Sequence, residues 1–192
     1  MNTIIGYGSL INPLSFVARH LDVNFDPIYE KENRLFDSYK IEGVRDCWKN
    51  TDVSYYPITI TGFKRFYSIK HRGGGMLEVY PDSDASITAA LYADVPDEMY
   101  KSVVSTEDEY NVSIVDLEDI FPYTENTVLT EDITAKLFTP KRKKPVRSVK
   151  RHPVYHDRIV ESFAFLVEEN LLTTKDAIQF LRDFLKTTYE YD

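Results

Sequence analysis

A chain of 192 residues with 14 Tyr and 11 Phe is long enough to bury a full core and is not disordered by composition. Its formal net charge of −8 argues against general affinity for nucleic acid or an anionic membrane, and it repels anionic substrates unless they meet a local positive field. A lone cysteine, Cys47, excludes an intramolecular disulfide; with no apolar leader and no run near ~18 apolar residues, the expectation is a cytoplasmic, reducing setting and no membrane span.

Taken in chain order, Thr3–Tyr7 reads as a buried strand. Asn12 suits an N-cap and Pro13 a first helical residue, so a helix is predicted over Asn12–His20 with Leu14, Val17, Ala18 and Leu21 near helical spacing. Val23 to Thr51 shows mixed charge and few periodic apolar positions and reads as an irregular surface excursion. Ile58–Gly62 and Phe63–Ile69 alternate as strands, Gly73-Gly74-Gly75 marks a flexible turn, and Met76–Tyr80 and Ile87–Ala93 are strands around a turn at Pro81–Ala85.

Asp94-Val95-Pro96 opens a helix through about Thr106, with Met99, Val103 and Val104 inward. Tyr110–Leu117 sets Tyr110, Val112 and Ile114 against Asn111 and Ser113 as a half-buried strand, and Ile133–Phe138 reads as another. His156–Asn170 is helical, with Ile159, Val160, Phe163, Leu166 and Val167 on one face. Thr173-Thr174-Lys175-Asp176 resembles a capping box for a last helix whose stripe is Ile178, Leu181, Phe184 and Leu185. Hairpin-joined strands with few helices predict a single α+β domain, barrel-like, over residues 1–192.

Lys141-Arg142-Lys143-Lys144, framed by Pro140 and Pro145 and followed by Arg147, Lys150 and Arg151, breaks the acidic composition. Such a run suits a nucleic acid, a phosphate or an acidic partner. Charge runs are usually solvent-facing, so a solvated loop near the mouth of the fold is expected here, and nucleic-acid binding is not. His20, His71, His152 and His156 show no tight ligand spacing, and Pro153 interrupts the His152/His156 pair, so no zinc site is expected. Cys47 beside Trp48 reads as a packed thiol rather than a nucleophile.

The segment Ile4-Ile5-Gly6-Tyr7-Gly8-Ser9-Leu10 runs a strand into a glycine turn and a helix start. That arrangement gathers backbone N–H groups at one point and suits a carboxylate or phosphate, although the same pattern also fits a plain strand-to-helix turn. Four further motifs follow in order: Gly62-Phe63-Lys64-Arg65-Phe66, Leu77-Glu78-Val79-Tyr80-Pro81-Asp82 leading to Ala90-Leu91-Tyr92, Glu107-Asp108-Glu109-Tyr110, and Pro153-Val154-Tyr155. The ordered set, over about Ile4 to Leu172, resembles the γ-glutamylcyclotransferase-like (AIG2-like) family. Members often carry an arginine two residues after the tyrosine, where this chain has Val112.

The resemblance implies a mixed β-barrel with flanking helices. It also implies cleavage of a small γ-glutamyl amide by its own α-amine, releasing 5-oxoproline and an amine with no metal or cofactor. Intramolecular attack needs little machinery, because well-oriented reactants reach effective molarities of order ~10⁵–10⁸ M. What remains is proton handling by a carboxylate and stabilisation of the oxyanion. Glu98, Glu107, Asp108 and Glu109 are candidates, each suited by residue type to a solvated surface, and the spacing to Tyr110 in the resemblance selects Glu107. It gives the backbone of Gly8, Ser9 and Leu10 the substrate's α-carboxylate or the oxyanion, with Tyr7, Tyr110 and Tyr155 as further contacts. A non-catalytic binding module with the same pocket is the alternative. The residues leave open the leaving amine and the oligomeric state.

Overall fold

The computed structural model describes residues 2–21, 38–71, 74–107, 110–125, 129, 134–146 and 149–190. Strand β1 (Asn2–Gly6) runs into a 3-10 turn (Gly8–Ile11) and helix α1 (Pro13–His20). The Asn12 side chain accepts from the Leu14 N–H at 2.9 Å and Pro13 takes the first helical position, so the cap acts as its chemistry dictates. Helix α2 (Ser38–Lys49) follows, which corrects the irregular reading of Val23 to Thr51, whose residues 23–37 lie outside the described residues. Among its described side chains Val44 and Trp48 are buried and Cys47 packs half-buried beside them, and Gly43 within the helix weakens the periodic signal.

Strands β2 (Ser54–His71) and β3 (Gly74–Val95) form one long antiparallel ribbon. The separate strands expected on each side are thus continuous. The turn at Pro81–Ala85 survives as a bulge: pairing passes from Phe63 opposite Pro81 to Thr61 opposite Ser86, so residues 82–85 face Gly62 alone. The Asp84 N–H donates to the Asp82 carboxylate at 3.1 Å, the local turn that its sequence signals. Gly75, read as part of a flexible turn, instead lies in β3. Its N–H donates to Lys150 O at 2.7 Å and its carbonyl accepts from His152 N at 3.0 Å, an approach that a Cβ there would obstruct through the Val149 side chain.

Helix α3 (Asp97–Thr106), strand β4 (Tyr110–Val115), strand β5 (Ile120–Pro122) and strand β6 (Ala135–Pro140) precede helices α4 (Pro153–Glu168) and α5 (Thr174–Lys186) and strand β7 (Thr188–Glu190). The sheet order is β4-β6-β1-β3-β2-β5, with β7 added to β2; β1/β6 and β2/β7 are parallel and the rest antiparallel. One apolar cluster is built from strand residues such as Ile5, Ile58, Ile87 and Leu137, with Leu129 packed against it. A second cluster packs helices against the other face, with Phe16, Phe163 and Phe180 meeting Ile4 and Tyr92. The fold is α+β with flanking helices, as expected.

Some faces differ from the sequence reading. Val112 and Ile114 are exposed on β4, because this strand sits at the sheet edge and turns Val115 inward. On α5 the buried residues are Ala177, Phe180 and Phe184, while Ile178 and Leu185 are exposed. Helix α4 begins at Pro153 with His152 as its N-cap, so this proline opens the helix instead of interrupting it.

Arg65 on β2 is fully buried. It donates to Thr88 O at 2.8 Å and Phe184 O at 3.2 Å, and to the hydroxyls of Thr187 at 3.1 Å and Thr188 at 3.0 Å. Its guanidinium lies 3.8 Å from the Phe184 ring centroid. Desolvation pulls its pKa down to about 9, above neutral pH, so it stays cationic against the negative end of α5. Replacing Arg65 by Met strips the Phe184 and Thr88 carbonyls of a donor. The expected loss is about 3–5 kcal/mol in denaturant unfolding, and a change under about 1 kcal/mol would refute this account.

Candidate functional site

The turn after β1 is held from below by tyrosines. Tyr92 Oη donates to Leu10 O at 2.7 Å and Tyr55 Oη to Ile11 O at 3.0 Å. Both phenols are buried, which pushes their pKa values up and keeps them protonated donors. Phe16 stacks on Tyr92 at 4.1 Å between ring centroids, locking α1 onto the same platform. Within the turn, Leu10 N–H donates to Tyr7 O at 3.3 Å and Asn12 N–H to Ser9 O at 3.2 Å. Gly8 sits at φ +61°, a conformation that L side chains rarely adopt, and a Cβ there would lie 2.5 Å from Tyr155 Oη.

Above this turn is a cavity of about 160 Å³. Tyr7, Ser9 and Leu10 form one wall, Glu107 and Tyr110 another, and Tyr155 from α4 a third. Arg19, Met76, Leu77, Thr106 and Phe138, which the sequence did not single out, complete it. Gly8 lies beneath Tyr155 and is not part of the lining. Of the rival acids, Glu98 is exposed in the first turn of α3, and Asp108 and Glu109 lie outside the described residues.

Glu107 follows the last residue of α3, and its N–H donates to Val104 O at 3.0 Å. The Tyr110 N–H donates to Glu107 O at 3.0 Å, which sets the spacing of the two side chains. The Glu107 carboxylate, largely buried, pairs with Arg19 at 2.8 Å. It is the one carboxylate among the described lining residues. The Arg19 partnership had no signal in the sequence, because Arg19 falls outside the apolar stripe of α1 and reads as an ordinary cation near a helix C-terminus.

The three phenols are tuned toward neutrality. Tyr7 donates to Phe138 O at 2.8 Å, and burial, then the nearby Tyr110 and Glu107, pushes its pKa far up. Burial raises Tyr110 also, with Glu78 and Glu107 adding to it. Burial raises Tyr155 while the Ser9 backbone opposes the shift: the Ser9 N–H donates to Tyr155 Oη at 3.3 Å. All three therefore act as hydrogen-bonding phenols, not as bases.

Beside the cavity, Tyr80 Oη donates to Glu78 at 2.6 Å, and Arg142 donates to Tyr80 Oη at 2.9 Å and pairs with Glu78. Arg142 thus belongs to a polar cluster, a correction to reading the whole basic run as a solvated loop. A larger open cleft of about 670 Å³ lies between β2, β3 and α5, lined by residues including Lys64, Thr88, Asp183 and Lys186; it contains none of the candidate residues. Among the described residues, no group of three or more His, Cys, Asp and Glu side chains is arranged to hold a metal, and no helix is long and apolar enough to cross a membrane.

No protein-family model matches the chain, and no curated protein matches it in sequence. Among solved structures, YkqA from Bacillus subtilis superposes with a TM-score of 0.54 at 14% identity, over 97% of this chain and 55% of that one. This chain therefore spans only about half of YkqA's length. A γ-glutamyl cyclotransferase superposes with a TM-score of 0.52 at 12% identity, over 100% of this chain and 89% of that one. An uncharacterised protein from Homo sapiens gives 0.51 at 12% identity, over 100% and 91%. The chain has a fold similar to that of γ-glutamyl cyclotransferase.

The contact at Gly8 is testable. Gly8→Ala should cost about 1–3 kcal/mol, from a left-handed alanine and from crowding of Tyr155. Tyr155→Phe in that background should recover part of the loss, read as a non-additive thermal-unfolding cycle. Strict additivity would mean that the hydroxyl is not what Gly8 accommodates.

Proposed function

We propose that the chain, acting as a single domain over residues 1–192, is a cyclotransferase that cleaves a small γ-glutamyl amide. The observation that carries this reading is that the Glu107 carboxylate and the Tyr7–Leu10 turn face one cavity of about 160 Å³. In the empty site Arg19 and Glu107 neutralise each other. A γ-glutamyl headgroup bears an ammonium and a carboxylate on one carbon. It exchanges that single ion pair for two, its carboxylate on Arg19 and its ammonium on Glu107.

Glu107 then takes a proton from the ammonium. The freed amine attacks the γ-carbonyl carbon, a ring C–N bond forms and the carbonyl oxygen becomes an oxyanion. As the oxyanion collapses and the amide C–N bond breaks, the proton held by Glu107 passes to the leaving nitrogen. The ring nitrogen gives its second proton to the freed Glu107 carboxylate, which passes it to the released amine, so 5-oxoproline and an ammonium result. Tyr155 accepts from Ser9 N–H and keeps its own O–H proton to donate, so it carries the polarity of the turn into the cavity. Ser9 and Leu10 N–H groups already donate to Tyr155 and to Tyr7 O, which makes the phenol rather than the bare turn the nearer oxyanion donor. Those internally matched groups also suit the second reading, a non-catalytic module that binds a zwitterion.

Glu107→Gln keeps the shape and removes the proton carrier. It should lower 5-oxoproline release from a panel of γ-glutamyl amines by at least about 10²-fold while the variant still melts cooperatively. Unchanged turnover in the variant would displace Glu107 from its role. Absence of turnover by the native protein across the panel, with binding retained, would favour the module.

A further inference from the structure

The basic run is not spread at random over the surface. Strand β6 carries Phe138 along the cavity wall and ends at Pro140, whose register partner is the cavity residue Tyr110. Lys141, Arg142, Lys143 and Lys144 follow at once, all exposed. The turn they form is tied down at two points. Arg142 is held by Glu78 and Tyr80, and the Val146 N–H donates to Ser68 Oγ at 2.9 Å.

A second set of cations lies just before α4. Lys150 and Arg151 are exposed, and their backbone is hydrogen-bonded to Gly75 on β3 through Lys150 O at 2.7 Å and His152 N at 3.0 Å. The β3 residues between Gly75 and Glu78 are Met76 and Leu77, and both line the cavity. Cationic segments are therefore anchored at either end of the same short piece of cavity wall. Among the described residues, Glu78 and Glu107 beside it are paired with Arg142 and Arg19.

A chain of net charge −8 repels an anion at long range, so cationic segments anchored beside the cavity wall define where an anion is accepted. The cavity, about 160 Å³, holds a group the size of a glutamyl headgroup, so whatever is attached to the γ-carbonyl extends beyond it, and the cationic segments anchored on Met76–Glu78 form a rim beside that wall. We propose that the rim selects substrates whose leaving amine is itself anionic, an acidic amino acid or acidic peptide joined through a γ-glutamyl bond. This rests on the cyclotransferase reading for the headgroup, and adds the class of the leaving portion.

The test compares γ-glutamyl-glutamate with γ-glutamyl-glutaminamide, which has the same shape with both distal carboxylates amidated. Calorimetric binding to the Glu107→Gln protein should favour the acidic compound about tenfold at low salt, with the preference shrinking as salt is raised. In the same protein carrying Lys143→Gln and Lys144→Gln as well, the preference should fall to within about twofold while the amide binds as before. Equal binding of the two compounds, or a preference that survives the double lysine change, would overturn the proposal; if the variant binds neither, equal kcat/KM for the two compounds in the native protein would overturn it. Turnover by the native protein separates the two readings. Release of 5-oxoproline from both compounds at equal rates leaves the cyclotransferase standing and removes the rim's role. Charge-selective binding without release leaves the rim standing and removes the cyclotransferase.

Discussion

The architecture turns on a charge that is buried without a counter-charge. Arg65 has no carboxylate among its hydrogen-bond partners in the described residues; carbonyls, threonine hydroxyls, a ring face and the end of α5 solvate it instead. A guanidinium suits this task because its fork reaches several elements at once and holds its proton. Arg65 thereby fixes α5 and β7 against the ribbon. Phe180 and Phe184 of α5 then pack on Phe163 of α4, at 5.4 and 5.7 Å between ring centroids. Helix α4 presents Tyr155, and Tyr155 meets Gly8 and Ser9. The turn of the candidate site is thus held in place through three layers of packing by an arginine that never touches it.

Tyrosine plays the corresponding part near the turn itself. Its ring supplies apolar area and its hydroxyl supplies a directed donor, so Tyr55 and Tyr92 bury bulk and satisfy turn carbonyls together. A short 3-10 turn leaves carbonyls without helical partners, and phenols held neutral by burial are suited to answer them. The high tyrosine content of the chain has a structural use here that composition alone does not reveal.

What could be read from the sequence was local. Asn12-Pro13 and Thr173 mark helix starts because capping is decided within three residues, and both act as written. The motif around Arg65 was visible, but its function was not, since Phe184 and Thr187 lie 119 and 122 positions away. The Arg19 partner of Glu107 was hidden for the same reason. Helix α2 escaped because its apolar positions are sparse among charged neighbours, and among its described side chains Val44 and Trp48 are the buried apolar pair. Amphipathic faces on α5 and β4 were misjudged where apolar residues are simply exposed, as Ile178 and Ile114 are.

Strand β1 also shapes the order in which the molecule is made. It comes first among the strands and sits inside the sheet, between β3 and β6. Its β3 partners begin at Ala90, but its β6 partners are Lys136 and Leu137, so one edge stays open while the intervening chain is synthesised. That edge carries Ile4 and Ile5, and an unpaired apolar edge is a template for the wrong neighbour. The nascent chain is therefore most exposed to aggregation before β6 emerges, and a chaperone engaging it then would protect the strand that leads into the candidate site.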